Sequence, residues 1–195
     1  MTPYFTSDRE RRLWLWTFVL VATIWGTLGV APRVAAGLRA TGTMTALFVT
    51  GMVLVAATAV THGLRTRAGG AEVAVLFGAA AVYLMVFVRI SLPEERTHLI
   101  EYGVVAVFVH AALKERLRQG RRVRAPALLA IVATACLGAI DEGIQWLLPN
   151  RVFDPIDIGF NAIAAVMAIG TSVALGWARR LKSPVPAAPR RGRSQ

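Results

Sequence analysis

Six long apolar stretches dominate this chain and limit the folds that it can adopt. They are residues 13–30, 44–61, 71–90, 95–112, 126–148 and 156–178. Each is close to the ~17–25 residues that a helix needs to cross the hydrocarbon core of a bilayer. A backbone in lipid must satisfy its own hydrogen bonds, which only helices and closed β-barrels do. No stretch shows the alternation of apolar and polar residues that is typical of a barrel strand, so helices are predicted. The sequence therefore predicts an all-α membrane protein with about six transmembrane helices.

The composition agrees with a multi-pass protein of the plasma (inner) membrane. Mean hydropathy is +0.54, 55% of the residues are hydrophobic and 17% are charged. We predict one polytopic domain over residues 1–182, followed by a disordered basic cytoplasmic tail over 183–195 that is rich in Pro, Ala and Arg. The basic start and first apolar run resemble a signal peptide, but the run exceeds the usual ~7–15 residues, so we expect it to remain as the first helix.

The distribution of basic residues predicts the orientation of the helices. With the N-terminus inside, 17 Lys and Arg residues fall on the cytoplasmic side and five on the other side, namely Arg33, Arg39, Arg89, Arg96 and Arg151. This is the positive-inside bias of membrane proteins. This bias predicts that both termini lie in the cytoplasm. We therefore attribute the net charge of +11 to the topology and to contact with membrane lipids, and not to nucleic-acid binding.

The acidic residues gather at the outer ends of the last three predicted helices. Seven of the eleven lie there: Glu94, Glu95, Glu101, Asp141, Glu142, Asp154 and Asp157. Glu94, His98 and Glu101 follow at i, i+4 and i+7, so they share one face of the fourth helix. We expect His98 to be held partly cationic by these carboxylates, as a proton carrier or ligand would be.

The fifth and sixth helices bring further polar residues to the same end. Asp141, Glu142 and Gln145 lie in the last turns of the fifth, and Asp157 and Asn161 lie one turn apart at the start of the sixth. Three helix ends can therefore converge on one polar pocket that opens on the extracytoplasmic side. Carboxylates in the first turn of a helix interact favourably with the helix dipole. This structural role is enough to explain Glu94, Glu95 and Asp154.

Asp141 and Glu142 require another explanation, because they end a helix, where the dipole disfavours negative charge. A charge deep in a membrane costs about 2.5–3.5 kcal/mol on insertion scales, and less near the interface. We expect Arg151 or His98 to compensate these carboxylates.

Two blocks around these residues resemble the VanZ-like family of membrane proteins, which is named for an accessory protein of teicoplanin resistance. The first block is EERTHLIEY, and the second is DEGIQWLLPNRVFDPIDIGFN. The residues that match are His98, Glu101, Tyr102, Asp141, Glu142, Gln145, Pro149, Arg151, Asp157 and Asn161. The chain departs from the family pattern at Asn150, Ala164 and Glu95. The resemblance implies a VanZ-like core over about residues 71–178 and a role at the cell envelope linked to glycopeptide resistance or cell-wall stress.

Three functions remain open from the sequence. The first is an accessory protein whose polar cluster holds the helices together and presents a surface to a partner or drug. The second is a membrane enzyme that acts on a lipid-linked or cell-wall precursor. The third is a small proton-coupled transporter, although no inverted repeat is visible in the first three helices.

Under the enzyme hypothesis, the catalytic candidates are His98, Glu101, Asp141, Glu142 and Asp157, with His98 or Glu142 as general acid or base. Gln145, Arg151 and Asn161 would bind substrate, and Arg151 would hold a phosphate or carboxylate by two parallel hydrogen bonds. A variant places a divalent cation among His98, Glu101, Glu142 and Asp157. Cys136 is the only cysteine, so no internal disulfide can form.

Overall fold

The computed structural model describes residues 4–43, 46, 50, 69–89, 93–149, 151 and 153–182, and the side chains of residues 31, 35, 87–89, 93–98 and 182 lie outside the described part. The described elements are helical: α1 (Asp8–Thr27), α2 (Ala31–Ala40), α3 (Gly70–Arg89), α4 (Pro93–Arg118), α5 (Pro126–Trp146) and α6 (Pro155–Lys182). Within these residues there is no β-strand, which confirms the predicted all-α class.

Side-chain caps and prolines set where several helices begin. The Ser7 hydroxyl caps α1 by accepting a hydrogen bond from the backbone N–H of Glu10 at 3.1 Å. The α5 helix begins at Pro126, whose missing N–H costs nothing in a first turn. The α6 helix begins at Pro155, and Asp154 Oδ1 accepts a hydrogen bond from the backbone N–H of Ile156 at 2.8 Å. Asp154 therefore caps the start of α6 with its side chain.

The end of α4 is fixed by a glycine with positive φ. Gly120 has φ +83°, and the N–H of Arg121 donates to the carbonyl of Arg116 at 3.2 Å, which is the closing bond of a Schellman motif. Only glycine adopts this backbone conformation without strain. The helix therefore continues past residue 112, where the sequence predicts the end of the apolar stretch, and reaches Arg118.

The central helix of the bundle is α4, which packs against α1, α5 and α6, while α6 also packs against α3 and α5. Small residues allow α4 and α6 to approach closely. A Cβ built on Gly103 would lie 3.8 Å from the Cβ of Ala168, and Ala164 and Ala168 are buried. Ala164 and Ala168 are therefore residues at which α6 packs against α4.

The outward surface of the helices is strongly apolar. Phe18 is 70% exposed, Phe77 74% and Trp177 60%. In water such a surface would drive association, whereas in a membrane it would face lipid.

Among the residues that the structure describes, two helices are long and apolar enough to cross a membrane, Pro126–Trp146 and Pro155–Leu181. The α1 and α2 helices pass the same test when they are counted together, although they meet at a bend of 63°, so the described residues hold up to three candidate spans. The α4 helix differs because charges at both ends limit its uncharged part to residues 102–113, which at 1.5 Å per residue is shorter than a bilayer core of ~30 Å. The predicted stretch 44–61 lies almost entirely outside the described residues, as does the tail 183–195.

Candidate functional site

An outer polar cluster lies where the C-terminal end of α5 meets the start of α6 and one face of α4. It comprises Glu101, Asp141, Glu142, Gln145, Arg151, Asp157 and Asn161. Asp141, Glu142 and Asn161 are each 0% exposed and Gln145 is 2% exposed. The side chain of His98, which the sequence assigns to the same site, lies outside the described part, so its predicted role stays a prediction.

The local sequence of α5 explains the burial of these residues. Thr134, Gly138, Asp141 and Gln145 recur at intervals of three or four, which places them on one helix face, and all four are buried. This face is polar although the rest of α5 is apolar. The polar groups of α5 are therefore directed into the bundle and away from the surface.

Glu142 connects the end of α5 to the start of α6. Its Oε1 accepts a hydrogen bond from Gln145 Nε2 at 2.9 Å, and its Oε2 accepts one from the backbone N–H of Asp154 at 3.2 Å. Both oxygens therefore have donors, which offsets much of the free-energy cost of burying a carboxylate. The bond to Asp154 fixes the loop that precedes α6.

The Asp141 carboxylate interacts with side chains from two helices, Gln145 of α5 and Tyr102 of α4. Gln145 Nε2 donates to Asp141 Oδ2 at 3.2 Å, one turn along the same helix. The Tyr102 hydroxyl of α4 interacts with the Asp141 carboxylate and with the indole of Trp25 in α1. This buried set of polar groups thus joins α1, α4 and α5.

Arg151 supplies the positive charge of the cluster. Its charge acts favourably on the carboxylates of Glu101, Glu142 and Asp157, which come from three different helices. Its Nε is buried and donates no hydrogen bond to the described residues. Compensation by Arg151 is predicted for Asp141 and Glu142, and its charge acts through space on Glu142.

Asn161 and Gly138 mark the closest approach of α5 and α6. A Cβ built on Gly138 would lie 2.6 Å from Asn161 Cβ and 2.7 Å from Asn161 Nδ2. The amide of Asn161 is fully buried, and neither its Nδ2 nor its Oδ1 has a hydrogen-bond partner among the described residues. The sequence analysis placed Asn161 in the site but missed Gly138, although a glycine one turn before Asp141 on the same face was a usable signal.

A second cluster, the inner ionic cluster, was not foreseen from the sequence. It lies at the opposite end of the bundle and comprises Ser7, Arg9, Glu10, Glu115, Arg116 and Gln119. Glu10 is 0% exposed, and its Oε1 lies 2.9 Å from Arg116 Nε in an ion pair that lacks good hydrogen-bond alignment. The spacing of Ser7 and Glu10 is that of a capping box, which would have placed Glu10 at a helix start but not in a buried ion pair.

The inner ionic cluster joins the start of α1 to the end of α4. Glu10 Oε2 accepts a hydrogen bond from the backbone N–H of Thr6 at 2.7 Å. Glu115 accepts from Gln119 Nε2 at 3.0 Å and from the Ser7 hydroxyl at 3.3 Å. A separate ion pair of 3.7 Å joins Arg179 at the end of α6 to Glu72 at the start of α3.

These contacts change the acidity of both inner carboxyls. Burial alone would raise the pKa of Glu10, but hydrogen bonds from Thr6 and the charge of Arg116 outweigh it, and the pKa is lowered from 4.5. The hydrogen bond from Gln119 lowers the pKa of Glu115, against a smaller opposing effect of burial, with further help from Ser7 and Arg9. Both groups are therefore held as carboxylates.

The described residues contain no group of three or more His, Cys, Asp or Glu side chains arranged to hold a metal ion. His98 is not among the side chains covered by that statement, so the predicted cation site with His98, Glu101, Glu142 and Asp157 stays a prediction. Cys136 is exposed on α5.

The chain was compared with protein-family models, with curated proteins and with solved structures, and none of them matches it.

Proposed function

We propose that this chain is a multi-pass integral membrane protein of the cell envelope whose outer polar cluster holds α4, α5 and α6 together. In this role it is an accessory protein, and the loop that follows α5 is presented on the extracytoplasmic side. The observation that carries the proposal is the hydrogen bonding of Glu142, whose two oxygens are occupied by Gln145 and by the backbone of Asp154. A carboxylate that is buried and fully engaged in this way serves packing better than proton transfer.

The membrane location is supported by the surface of the bundle. Large apolar side chains such as Phe18, Phe77 and Trp177 point outward, and two of the described helices have the length and composition of a membrane span. The proposal includes cytoplasmic termini and six spans, one of which is α4 with its charged ends near the two membrane surfaces. It rests on the apolar stretches and on the excess of basic residues on one side.

The link to glycopeptide antibiotics or cell-wall stress comes from the VanZ-like resemblance of residues 94–102 and 141–161. The proposed accessory role is consistent with that resemblance. Three of the residues that carry the resemblance, Tyr102, Asp141 and Gln145, interact in one buried set.

A membrane enzyme that acts on a lipid-linked precursor is the second candidate. Asn161 favours it, because a fully buried amide without a partner among the described residues is costly unless a ligand or water satisfies it. Glu101 and Asp157 are only half-buried and would face such a ligand.

Orientation is tested by labelling single cysteines in a Cys136→Ser background. Phe153→Cys lies in the loop between α5 and α6, and Gln119→Cys lies at the end of α4, and both residues are exposed. We expect a membrane-impermeant maleimide to label the Phe153→Cys variant in intact cells and the Gln119→Cys variant only after the membrane is opened. The reverse pattern would overturn the orientation. Labelling of both sites only after permeabilisation would also contradict it.

The accessory role is tested by deleting the gene and measuring sensitivity to glycopeptides and detergents. We expect the deletion to alter envelope sensitivity and the wild-type chain to restore it. A deletion strain with unchanged sensitivity to both would contradict an envelope role.

A further inference from the structure

Two arginines line one groove at the outer end of the bundle. The groove has a volume of about 530 Å³ and lies between the bend that joins α1 to α2 and the loop that follows α5. It is lined by Leu28, Gly29, Pro32, Arg33, Ala36, Leu148, Pro149 and Arg151. Apart from the two arginines, the lining is apolar or glycine.

The presence of two arginines here is unusual for this chain. Only five of its 22 basic residues fall on the predicted outer side, and Arg33 and Arg151 are two of those five. They are distant in the sequence and come together only through the packing of the chain. Two guanidinium groups that share one opening attract an anion, and their planar donors match the oxygens of a phosphate.

The electrostatic situations of the two arginines differ. Arg33 is exposed and forms no ion pair with any of the residues that the structure describes. The charge of Arg151 also acts on Glu101, Glu142 and Asp157, and its Nε is buried without a hydrogen bond to described residues. Arg33 therefore contributes most of the net attraction, and Arg151 contributes further donors.

We propose that this groove binds the anionic headgroup of a membrane phospholipid, with the phosphate at Arg33 and Arg151 and the glycerol and upper acyl chain against Leu28, Pro32 and Leu148. The apolar lining selects an amphiphile over free phosphate, because a small hydrated anion gains nothing from apolar contact. In the membrane location proposed above, the groove would open beside lipid. The inference rests on the membrane location and orientation proposed above.

The test uses the full chain in nanodiscs of phosphatidylcholine that contain a photoactivatable phosphatidylglycerol, with covalent capture read by protein mass and mapped by peptide. We expect capture at residues 28–36 or 148–151. Unlabelled phosphatidylglycerol should compete, while phosphatidylcholine and inorganic phosphate at equal concentration should not. Competition by inorganic phosphate equal to that by phosphatidylglycerol would overturn the choice of a lipid.

Variants distinguish binding in the groove from a general attraction of the lipid to positive charge. Arg33→Ala and Arg151→Ala should each lower the apparent affinity for phosphatidylglycerol by roughly tenfold, the loss of a charge-assisted contact. Ala36→Trp should also weaken capture by filling the groove without changing its charge. Arg39→Ala is the matched control, since Arg39 lies on the same helix as Arg33 but does not line the groove.

Equal losses from Arg39→Ala and Arg33→Ala, or full capture by both Arg33→Ala and Ala36→Trp, would overturn the proposal. These two variants decide the question even where Arg151→Ala fails to fold. Cysteine labelling at positions 153 and 119 reports the orientation independently. Loss of the lipid preference with correct labelling therefore overturns the groove alone, whereas reversed labelling overturns the proposed function.

Discussion

Gly138 of α5 and Asn161 of α6 lie in direct contact, so closely that a methyl group on Gly138 would come within 2.6 Å of Asn161 Cβ. Real Cβ atoms do not approach a neighbour at this distance, and the nearest atoms belong to a short, fully buried side chain. The two helices therefore meet at this level only because position 138 has no side chain.

Gly138→Ala should destabilise the protein by about 1–3 kcal/mol, the usual cost of overpacking a close contact. The measurement is the thermal unfolding midpoint in detergent. Gly143→Ala is the control on the same helix, because nothing lies within 4 Å of a Cβ built there. That change should be neutral or stabilise the helix by up to about 1 kcal/mol. Equal midpoints for the two variants would contradict the close approach.

The sequence predicted the helices better than the contacts between them. The hydropathy of a stretch can be read from its own residues, without knowing what the stretch packs against. For this reason the starts and ends of α3, α5 and α6 fall within a few residues of the predicted ones. The gathering of Asp141, Glu142 and Asn161 was also predictable, since these residues lie at helix ends that short connections must bring together.

The contacts that the sequence did not reveal depend on the pairing of distant segments. Glu10 and Arg116 are both ordinary residues of helix ends, and nothing near either of them in the sequence identifies the other. The short α2 helix was likewise missed, because residues 31–40 contain a proline, glycine and two arginines that suggest a loop. The groove that holds Arg33 depends on this helix.

Arg116→Ala should lower the free energy of unfolding by about 1–3 kcal/mol, because it leaves the buried Glu10 carboxylate without its cation. The side chain of Arg116 also donates to the carbonyl of Tyr4 at 2.9 Å, so the segment before α1 loses a contact as well. Arg121→Ala is the control, since Arg121 is exposed in the following loop. Unfolding in detergent should distinguish the two variants, and indistinguishable midpoints would argue against a stabilising pair.

Acid should weaken the inner ionic cluster through Glu10. Its pKa in the folded protein lies below the ordinary value of 4.5, so the folded state favours the carboxylate. The stabilisation is therefore complete above pH 4.5 and is lost as the pH falls through the lower, folded-state pKa. We expect the stability difference between wild type and Glu10→Gln to be large at neutral pH and to shrink under acid. A difference that is independent of pH would show that Glu10 does not titrate in this way.

Arg151→Ala should lower the folded yield more than Arg33→Ala does. Removal of Arg151 leaves the carboxylates of Glu101, Glu142 and Asp157 without the charge that acts on all three, whereas Arg33 has no such carboxylates. The measurement is the fraction of monodisperse protein after extraction in mild detergent. Equal yields from the two variants would count against a cluster that depends on Arg151. Arg151→Lys should restore part of the yield, since it keeps the charge.

Glu142→Gln separates an accessory role from a chemical one. Glutamine keeps one acceptor and turns the other oxygen into a donor, so one of the hydrogen bonds to Gln145 or Asp154 is lost, at a cost of about 1 kcal/mol. A neutral amide costs less to bury than a carboxylate, which offsets this loss. We therefore expect normal abundance, whereas Glu142→Ala should reduce stability by leaving the N–H of Asp154 without its acceptor.

If the outer polar cluster serves packing, the abundant Glu142→Gln variant should also restore envelope resistance in the deletion strain. The same holds for His98→Gln and Asp157→Asn, because each keeps the size and the hydrogen-bonding capacity of the side chain. An enzyme that uses Glu142 or His98 as acid or base would behave differently, since removal of the titrating group typically costs about 10²–10⁴-fold in rate. Resistance lost at normal abundance in any of the three variants would overturn the accessory role and favour the enzyme.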